Sequence, residues 1–376
     1  MASRFLVMVH PVAGDGAVYV EYPVLTADRT QTQYTIAALR ASDGAMLWSI
    51  ANTNFTSRLA FVDGKLILLG DDMVALRATD GTALWQDPLN WNWQASLLYR
   101  DGILYFSNGF SNGSASVGDG AVIYAIRLAD GRTLWQTPVS GITGPTAPVL
   151  DGNSLYVGVF NGVIAALRTD TGAIRWQAPF ASAQSNDATP LAMIGGKLLV
   201  RTPRGNLLLN PANGGGEEDA PPPFDTASRV DSLAVGRTTF LGLSDGSYSL
   251  FASDGRLIWS APTNAPVGMS VVAYDADTLY LGPGPSVYDA ISMSDGAVLW
   301  NLRPDLRSSR TFRASGYAAI PGYFFETADG ASTPCTPIDS HLPAIRALSS
   351  ADGRVIWEDT FSVALGPPSC AVCHAR

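Results

Sequence analysis

A short phrase that recurs along the chain constrains the fold more than any other feature of the sequence. It consists of a few apolar or small residues, an Asp-Gly dipeptide, three further residues and a tryptophan, as in Ala38–Trp48. The glycines of its eight copies stand at positions 44, 81, 131, 172, 214, 255, 296 and 353, and their commonest spacing is 41 residues. The fifth copy, Leu207–Gly214, has no tryptophan after it. Self-similarity at a fixed period of this length indicates a repeat architecture.

A second set of glycine-type turns alternates with the first, as at Asp15-Gly16, and short β-forming runs follow these turns. Residues 147–177 show the plan of one repeat, which is four strands joined by tight turns. Two-residue hairpin loops need positive φ, which glycine adopts freely and Asp or Asn tolerates. No segment has sustained helical spacing of apolar residues. The pattern predicts an all-β, eight-bladed β-propeller with four antiparallel strands per blade over residues 1–360, and a tail over residues 361–376.

Seven of the nine tryptophans occupy the same position of the repeat. A tryptophan at this position can wedge its ring against the next blade and give its N–H to a backbone carbonyl, so we interpret the seven as packing residues. Without its tryptophan, the fifth unit is expected to have the weakest outer seam. Closure between the first and last blades is expected to rest on apolar packing, helped by residues 5–9 or by the tail. The predicted blades end near Trp48, Trp85, Trp135, Trp176, residue 218, Trp259, Trp300 and Trp357.

The phrase resembles the tryptophan-docking repeat of the propellers of pyrroloquinoline quinone (PQQ) type. That superfamily includes quinoprotein alcohol dehydrogenases, the non-enzymatic propeller of bacterial outer-membrane assembly, and sensor-like propellers on some bacterial kinases. The resemblance runs from about Phe5 to Thr360 and implies the eight-bladed fold. It implies less about function, because the repeat is a packing device.

The resemblance raises PQQ as a cofactor, so the parts of a quinoprotein dehydrogenase were sought in the sequence. Those enzymes have two adjacent cysteines, a tryptophan beneath the quinone, an acidic base, and a calcium ion held by Glu and Asn. This chain has no adjacent cysteines, and it also lacks a Gly-x-Ser-x-Gly elbow and a His-Glu-x-x-His motif. We therefore expect neither PQQ nor calcium. The leading prediction is a monomeric, non-catalytic scaffold that presents the loops of one propeller face to a protein partner, and a PQQ-dependent dehydrogenase is an alternative.

The end of the chain carries a different signal. Cys370-Ala-Val-Cys373-His374 matches the attachment motif of c-type haem. The two cysteines would form thioether bonds to the porphyrin, and His374 would be an axial ligand. His341 is a candidate for the second axial position. This motif predicts, as a second alternative function, an electron-transfer protein that carries one haem c.

Two other interpretations use the same cysteines. Cys335 can pair with Cys370 or Cys373 as a disulfide that closes a loop. The three cysteines with His341 or His374 are also a chemically sound zinc set. Haem attachment in related systems takes place outside the cytoplasm, so the motif implies an extracytoplasmic location, in the periplasm or at the cell surface. Residues 1–10 do not read as a signal peptide, because their apolar part is short and no small-residue cleavage site follows.

Charge and hydropathy narrow the range of partners. The chain has 24 basic and 33 acidic residues, and its net charge of −9 argues against a nucleic-acid partner. No apolar run reaches the ~18 residues that a transmembrane helix needs. Trp91 and Trp93 are the two tryptophans outside the repeat. They either pack on the strand that begins the next blade or form an aromatic patch that anchors a partner peptide or a sugar.

Overall fold

The structure is a computed structural model. It describes residues 9–25, 32–52, 56–70, 72–87, 97–108, 121–139, 148–159, 163–180, 189–202, 205–216, 218–219, 231–235, 238–242, 247–252, 254, 256–262, 270–284, 287–302, 314–328 and 344–361. The regular structure of these residues is β-strand throughout. Eight sheets follow one another along the chain, here numbered 1 to 8, and each has four strands in sequence order. The predicted repeat of four antiparallel strands is thereby confirmed, and eight such sheets are consistent with an eight-bladed propeller.

The chain forms two compact units, one of residues 1–84 and 271–376 and the other of residues 85–270. The first unit contains sheets 1, 2, 7 and 8, apart from the ends of β8 and β25. Sheet 1 consists of β1 (Val9–Gly14), β2 (Ala17–Leu25), β3 (Thr32–Arg40) and β4 (Met46–Asn52). Sheet 2 consists of β5 (Thr56–Val62), β6 (Lys65–Gly70), β7 (Met73–Arg77) and β8 (Ala83–Asp87). Sheet 7 consists of β25 (Ser270–Tyr274), β26 (Thr278–Gly284), β27 (Val287–Ser292) and β28 (Val298–Leu302). Sheet 8 consists of β29 (Ala314–Ile320), β30 (Tyr323–Ala328), β31 (Ala344–Ser349) and β32 (Val355–Thr360).

The second unit contains sheets 3 to 6. Sheet 3 consists of β9 (Leu97–Arg100), β10 (Ile103–Asn108), β11 (Ala121–Arg127) and β12 (Thr133–Val139). Sheet 4 consists of β13 (Val149–Asp151), β14 (Ser154–Val159), β15 (Val163–Arg168) and β16 (Ile174–Pro179). Sheet 5 consists of β17 (Thr189–Ile194), β18 (Lys197–Thr202), β19 (Gly205–Leu209) and β20 (Glu218–Asp219). Sheet 6 consists of β21 (Asp231–Val235), β22 (Thr238–Gly242), β23 (Ser247–Ala252) and β24 (Leu257–Pro262).

The turn between the first two strands of sheet 1 is the tight hairpin that Asp-Gly predicts. Asp15 and Gly16 have φ of 50° and 75°, and Gly14 pairs with Ala17 across them. Positive φ at both central residues is the geometry of a type I′ turn, which matches the twist of the two strands it joins.

The turn that precedes the tryptophan strand is wider than a two-residue hairpin. In sheet 1 the N–H of Arg40 donates to the carbonyl of Ala45 at 2.8 Å, so six residues form the turn. Only the glycine has positive φ, with 73° at Gly44. The Asp43 carboxylate accepts the N–H of Ala45 at 3.0 Å, which fixes the turn from within. The Asp-Gly dipeptide thus marks two kinds of turn, and only the kind at Asp15-Gly16 is a two-residue loop.

The core lies at the seams between consecutive sheets. In the first unit, Val18 and Val20 of sheet 1 pack with Phe325 and Ile345 of sheet 8, and all four are fully buried. The ring of Tyr22 also stacks on that of Phe361 at 4.2 Å between centroids. The predicted apolar contact between the first and last sheets is therefore present. Phe361, the first residue of the predicted tail, takes part in this contact, whereas residues 5–8 and 362–376, which the prediction also invoked, lie outside the described residues.

Candidate functional site

The residues that the sequence nominated for chemistry lie outside the described part of the chain. They are Cys335, His341, Cys370, Cys373 and His374, together with Trp91 and Trp93. The haem, zinc, disulfide and aromatic-patch interpretations therefore stay predictions. Within the described residues, no group of three or more His, Cys, Asp or Glu side chains is placed to hold a metal ion. The described residues also contain no helix long and apolar enough to cross a membrane.

The repeat tryptophans are used for packing between sheets. Among the described residues, five of them donate the indole N–H to a backbone carbonyl of the following sheet, and a sixth, Trp357 of sheet 8, donates to sheet 1. In each case the acceptor lies three residues before the glycine of the receiving turn. The acceptors are Ala78 for Trp48, Leu128 for Trp85, Thr169 for Trp135, Pro211 for Trp176, Ser350 for Trp300 and Ala41 for Trp357, at 2.7–2.9 Å.

The turn that receives the indole needs glycine for two reasons, which are its positive φ and the tryptophan ring that lies over it. At Gly131, φ is 72°, and a Cβ would lie 2.6 Å from the Cε3 atom of Trp85. No side chain fits between this turn and the indole without displacing one of them. These tryptophans hold neighbouring sheets together, so they are poor candidates for a ligand-binding surface.

The aspartates of the repeat are likewise used locally. At Asp80, one carboxylate oxygen accepts the N–H of Thr82 at 2.9 Å and the other accepts from Arg77 at 2.9 Å. Hydrogen bonds from Thr82 and then from Arg77 lower the pKa of Asp80 to about 2. The same Asp–Arg pairing recurs in sheets 1 and 3, whereas in sheet 4, where Thr171 precedes the glycine, Arg168 pairs with Asp170 instead. A carboxylate held in this way is a turn component, and it supplies neither a base nor a metal ligand.

Two fully buried glutamates lie at the seams between sheets and belong neither to the tryptophan contacts nor to the turns. Glu326, in β30, is fully buried and faces sheet 7. It accepts the phenol of Tyr288 at 2.5 Å and pairs with the guanidinium of Arg346, which is its cross-strand neighbour in β31. Tyr317, the neighbour of Glu326 on its other side in β29, lies against Tyr288 with ring centroids 5.6 Å apart.

The charge of Glu326 is balanced by its surroundings. Burial raises the pKa of this carboxyl, while the charge of Arg346 and the hydrogen bond from Tyr288 act in the opposite direction. Burial, followed by the charge of Glu326, raises the pKa of the Tyr288 phenol. In this arrangement the carboxylate of sheet 8 has both a counter-charge and a hydrogen-bond donor from sheet 7, and the loss of either partner would leave a buried group uncompensated.

Glu21, in β2, is the second fully buried glutamate, and it faces sheet 2. Its Oε1 accepts the side-chain amide of Asn52 at 2.6 Å, and that amide also donates to the Thr56 hydroxyl at 2.8 Å. Its Oε2 is buried and has no hydrogen-bond partner among the described residues. Burial raises the pKa of Glu21 to about 7, although hydrogen bonds from Asn52 and Thr56 act to lower it.

Sequence reasoning missed both glutamates. The signal was available, because each is the one charged residue in an otherwise apolar or aromatic run, as in Val18-Tyr-Val-Glu21-Tyr and in Tyr323-Phe-Phe-Glu326. In a strand with two buried faces, a single acid must find a partner or stay neutral.

The repeat geometry agrees with a comparison against family models. The model described as outer membrane protein assembly factor BamB matches residues 32–246 and 244–366 of the chain. The chain belongs to this family of PQQ-type β-propellers. No curated protein matches the sequence.

Three solved structures are similar to this chain. The designed protein Ika8 is 13% identical with a TM-score of 0.54, over 82% of this chain and 87% of its own. A europium-containing methanol dehydrogenase is 14% identical with a TM-score of 0.50, over 86% and 82%. BamB from Moraxella catarrhalis is 14% identical with a TM-score of 0.49, over 87% and 95%. At these identities the first two likenesses show the fold alone, because one fold serves both designed and catalytic proteins.

Proposed function

We propose that this PQQ-type propeller is a non-catalytic scaffold that binds a protein partner outside the cytoplasm. The observation that carries the proposal is the family match, because the matching model describes a factor that assembles outer-membrane proteins. The use of the described tryptophans and turn aspartates supports it. Both residue types, which quinoprotein enzymes use around their cofactor, serve here to pack sheets and close turns.

The proposed binding surface includes the connection between β8 and β9. Trp91 and Trp93 belong to the connection over residues 88–96, between β8 and β9. Exposed tryptophans at such a connection would offer the large, rigid contact area typical of interface hot spots. They are the residues we expect to touch the partner.

Site-specific photo-crosslinking tests this proposal in the full chain. A benzophenone amino acid replaces Trp93 in one version and the exposed Ser49 of the outer strand β4 in the other. We expect a discrete protein adduct in the native host from position 93 and none from position 49. The absence of an adduct at 93, or alcohol turnover by the purified chain with added PQQ and calcium, would contradict the proposal.

A haem c electron-transfer role is the second candidate, and it is favoured by Cys370-Ala-Val-Cys373-His374. The full chain is produced in a host that attaches haem, beside a Cys373→Ala variant. Haem attachment predicts a Soret band and a mass gain of one haem that the variant reduces or loses. A wild-type chain with neither signal rejects haem, and free-thiol counting then separates a disulfide from a zinc set.

A further inference from the structure

We propose that Glu21 makes the seam between sheets 1 and 2 proton-dependent, so that the seam is held closed around the neutral carboxyl and loosens when that carboxyl ionises. The first observation is the environment of Oε2, which is buried and lacks a partner among the described residues. An ionised carboxylate with one bare oxygen in such a position loses far more solvation than the neutral acid does.

The second observation is the position of Glu21 between the two sheets. Asn52, the last residue of β4, donates its side-chain amide both to Oε1 of Glu21 and to the hydroxyl of Thr56, the first residue of β5. The carboxyl group is therefore linked to sheet 2 through Asn52. Any reorganisation that hydrates it must move the seam, because water cannot reach a fully buried group in a close-packed interior.

The third observation is the contrast with Glu326, which is equally buried but has Arg346 beside it. The groups that act on Glu21 are uncharged, and after burial they are the side chains of Asn52 and Thr56. One seam carries a neutralised carboxylate and the other a carboxyl that must keep its proton.

The elements around Glu21 contribute few titratable groups. β3 contributes Tyr34, whose pKa is raised by burial and then by the charge of Glu21. At the same end of sheet 2 the described charged residues are Arg58, which is exposed, Asp72, and Asp87 at the end of β8. On β2 itself, Tyr19 shares the face of Glu21, and burial raises its pKa to about 12. The side chain of His10, on β1, lies outside the described residues.

The sign of the pH effect follows from the raised pKa of Glu21. The folded chain binds this proton more tightly than the unfolded chain, in which the pKa of Glu21 is near 4.5. The stabilisation is therefore complete below about pH 4.5, is lost as the pH rises to about 7, and does not change further above that. The proton should change the unfolding equilibrium constant by about 100-fold or somewhat more across this interval.

Denaturant unfolding of the full chain between pH 4.5 and 8.5 tests the proposal. We expect the unfolding constant of the wild type, relative to that of Glu21→Gln, to increase about 100-fold over this range. Asp101→Asn is the matched control, because it removes one exposed carboxylate at a turn position with φ of 50° that Asn tolerates. The control should follow the wild type. Parallel curves for the wild type and Glu21→Gln would overturn the proposal.

A second measurement does not depend on the variant folding. The chain has five glutamates, so their side-chain carboxyl carbons can be followed by NMR in uniformly ¹³C-glutamate-labelled wild type. Glu326→Gln identifies the resonance of the other buried glutamate. A remaining resonance that titrates near pH 7, together with faster amide exchange in β5 above that pH, supports the proposal. If all remaining resonances titrate in the ordinary range for glutamate, the proposal is wrong.

Discussion

Sheet 5 receives a tryptophan from sheet 4 but gives none to sheet 6, so its two seams within the second unit are built differently. At the seam of sheets 4 and 5, Trp176 is 9% exposed and donates its N–H to the carbonyl of Pro211 at 2.9 Å. Tyr156 packs against the indole at 5.9 Å between ring centroids. At the seam of sheets 5 and 6, the outer strand of sheet 5 is only Glu218–Asp219 and carries no tryptophan.

The receiving turns of the two sheets differ as well. In sheet 5 the N–H of Asn210 donates to Gly215, so the turn spans six residues. In sheet 6 the N–H of Ala252 donates to Arg256, so the turn spans five. The six turns that are seen to receive an indole are all of the wider kind.

This comparison shows that the repeat has two separable halves, a turn that receives an indole and a strand that supplies one. Sheet 5 keeps the first half in full, since Gly214 has φ of 70° and lies under the ring of Trp176. It has lost only the second half, the tryptophan on its outer strand. The turn of sheet 6 that faces it is the narrower one, and this turn lies close to sheet 5, since a Cβ on Gly195 would lie 3.4 Å from the carbonyl oxygen of Asp254. Repeat proteins are stabilised by such nearest-neighbour contacts, so the loss of one half affects one seam.

The largest expected effect comes from removing the Trp176 indole from the seam between sheets 4 and 5. Trp176→Ala should lower the free energy of unfolding by about 3–5 kcal/mol, because it opens a cavity and leaves the Pro211 carbonyl without its donor. Ile174→Ala, on the same strand but 41% exposed, is the control and should cost under about 1 kcal/mol. Denaturant titration of both variants measures the difference. Equal losses of unfolding free energy would show that the indole does not hold sheets 4 and 5 together.

A smaller effect should follow from crowding the same contact. In Gly214→Ala the new Cβ would lie 2.5 Å from the Cε3 atom of Trp176, in addition to the strain of positive φ. We expect a loss of about 3 kcal/mol. Gly102→Ala separates the two causes, since Gly102 has φ of 79° but nothing within 4 Å of a Cβ, and it should cost about 1–2 kcal/mol. A similar cost for both, measured by thermal unfolding, would mean that the ring yields to the methyl group.

Much of the fold could be predicted from local sequence, because each strand and turn has its own short-range signal. Four strands joined by tight turns were expected over residues 147–177, and sheet 4 has its four strands between Val149 and Pro179. Asp15-Gly16 forms the expected tight turn for the reason given in advance, namely that both residues tolerate positive φ.

The width of the sheet 6 turn could not be predicted in the same way. Leu39–Gly44 and Leu250–Gly255 have the same length and nearly the same composition, yet the strand register after them differs by one residue. The difference coincides with the arrival of an indole from another sheet, which local sequence does not encode. The partners of Glu21 and Glu326 are non-local for the same reason, since Asn52 and Tyr288 are 31 and 38 residues away along the chain. The cysteines and histidines for which the sequence predicts a haem, zinc or disulfide site lie outside the described residues, so those sites stay predictions.

The smallest expected effect is the restoration of the missing half. Glu218→Trp places an indole four residues after Gly214, the spacing that every other copy of the repeat has. If the narrow turn of sheet 6 can widen to accept it, the variant should gain about 1 kcal/mol in free energy of unfolding. Glu218→Leu, which adds apolar surface without an N–H donor, should gain less. If both variants are unchanged or destabilised, the contact between Asp254 and Gly195 has replaced the tryptophan contact at this seam. The five-residue turn would then be a second stable way of joining two sheets, and the six-residue turn would form only where an indole packs against it.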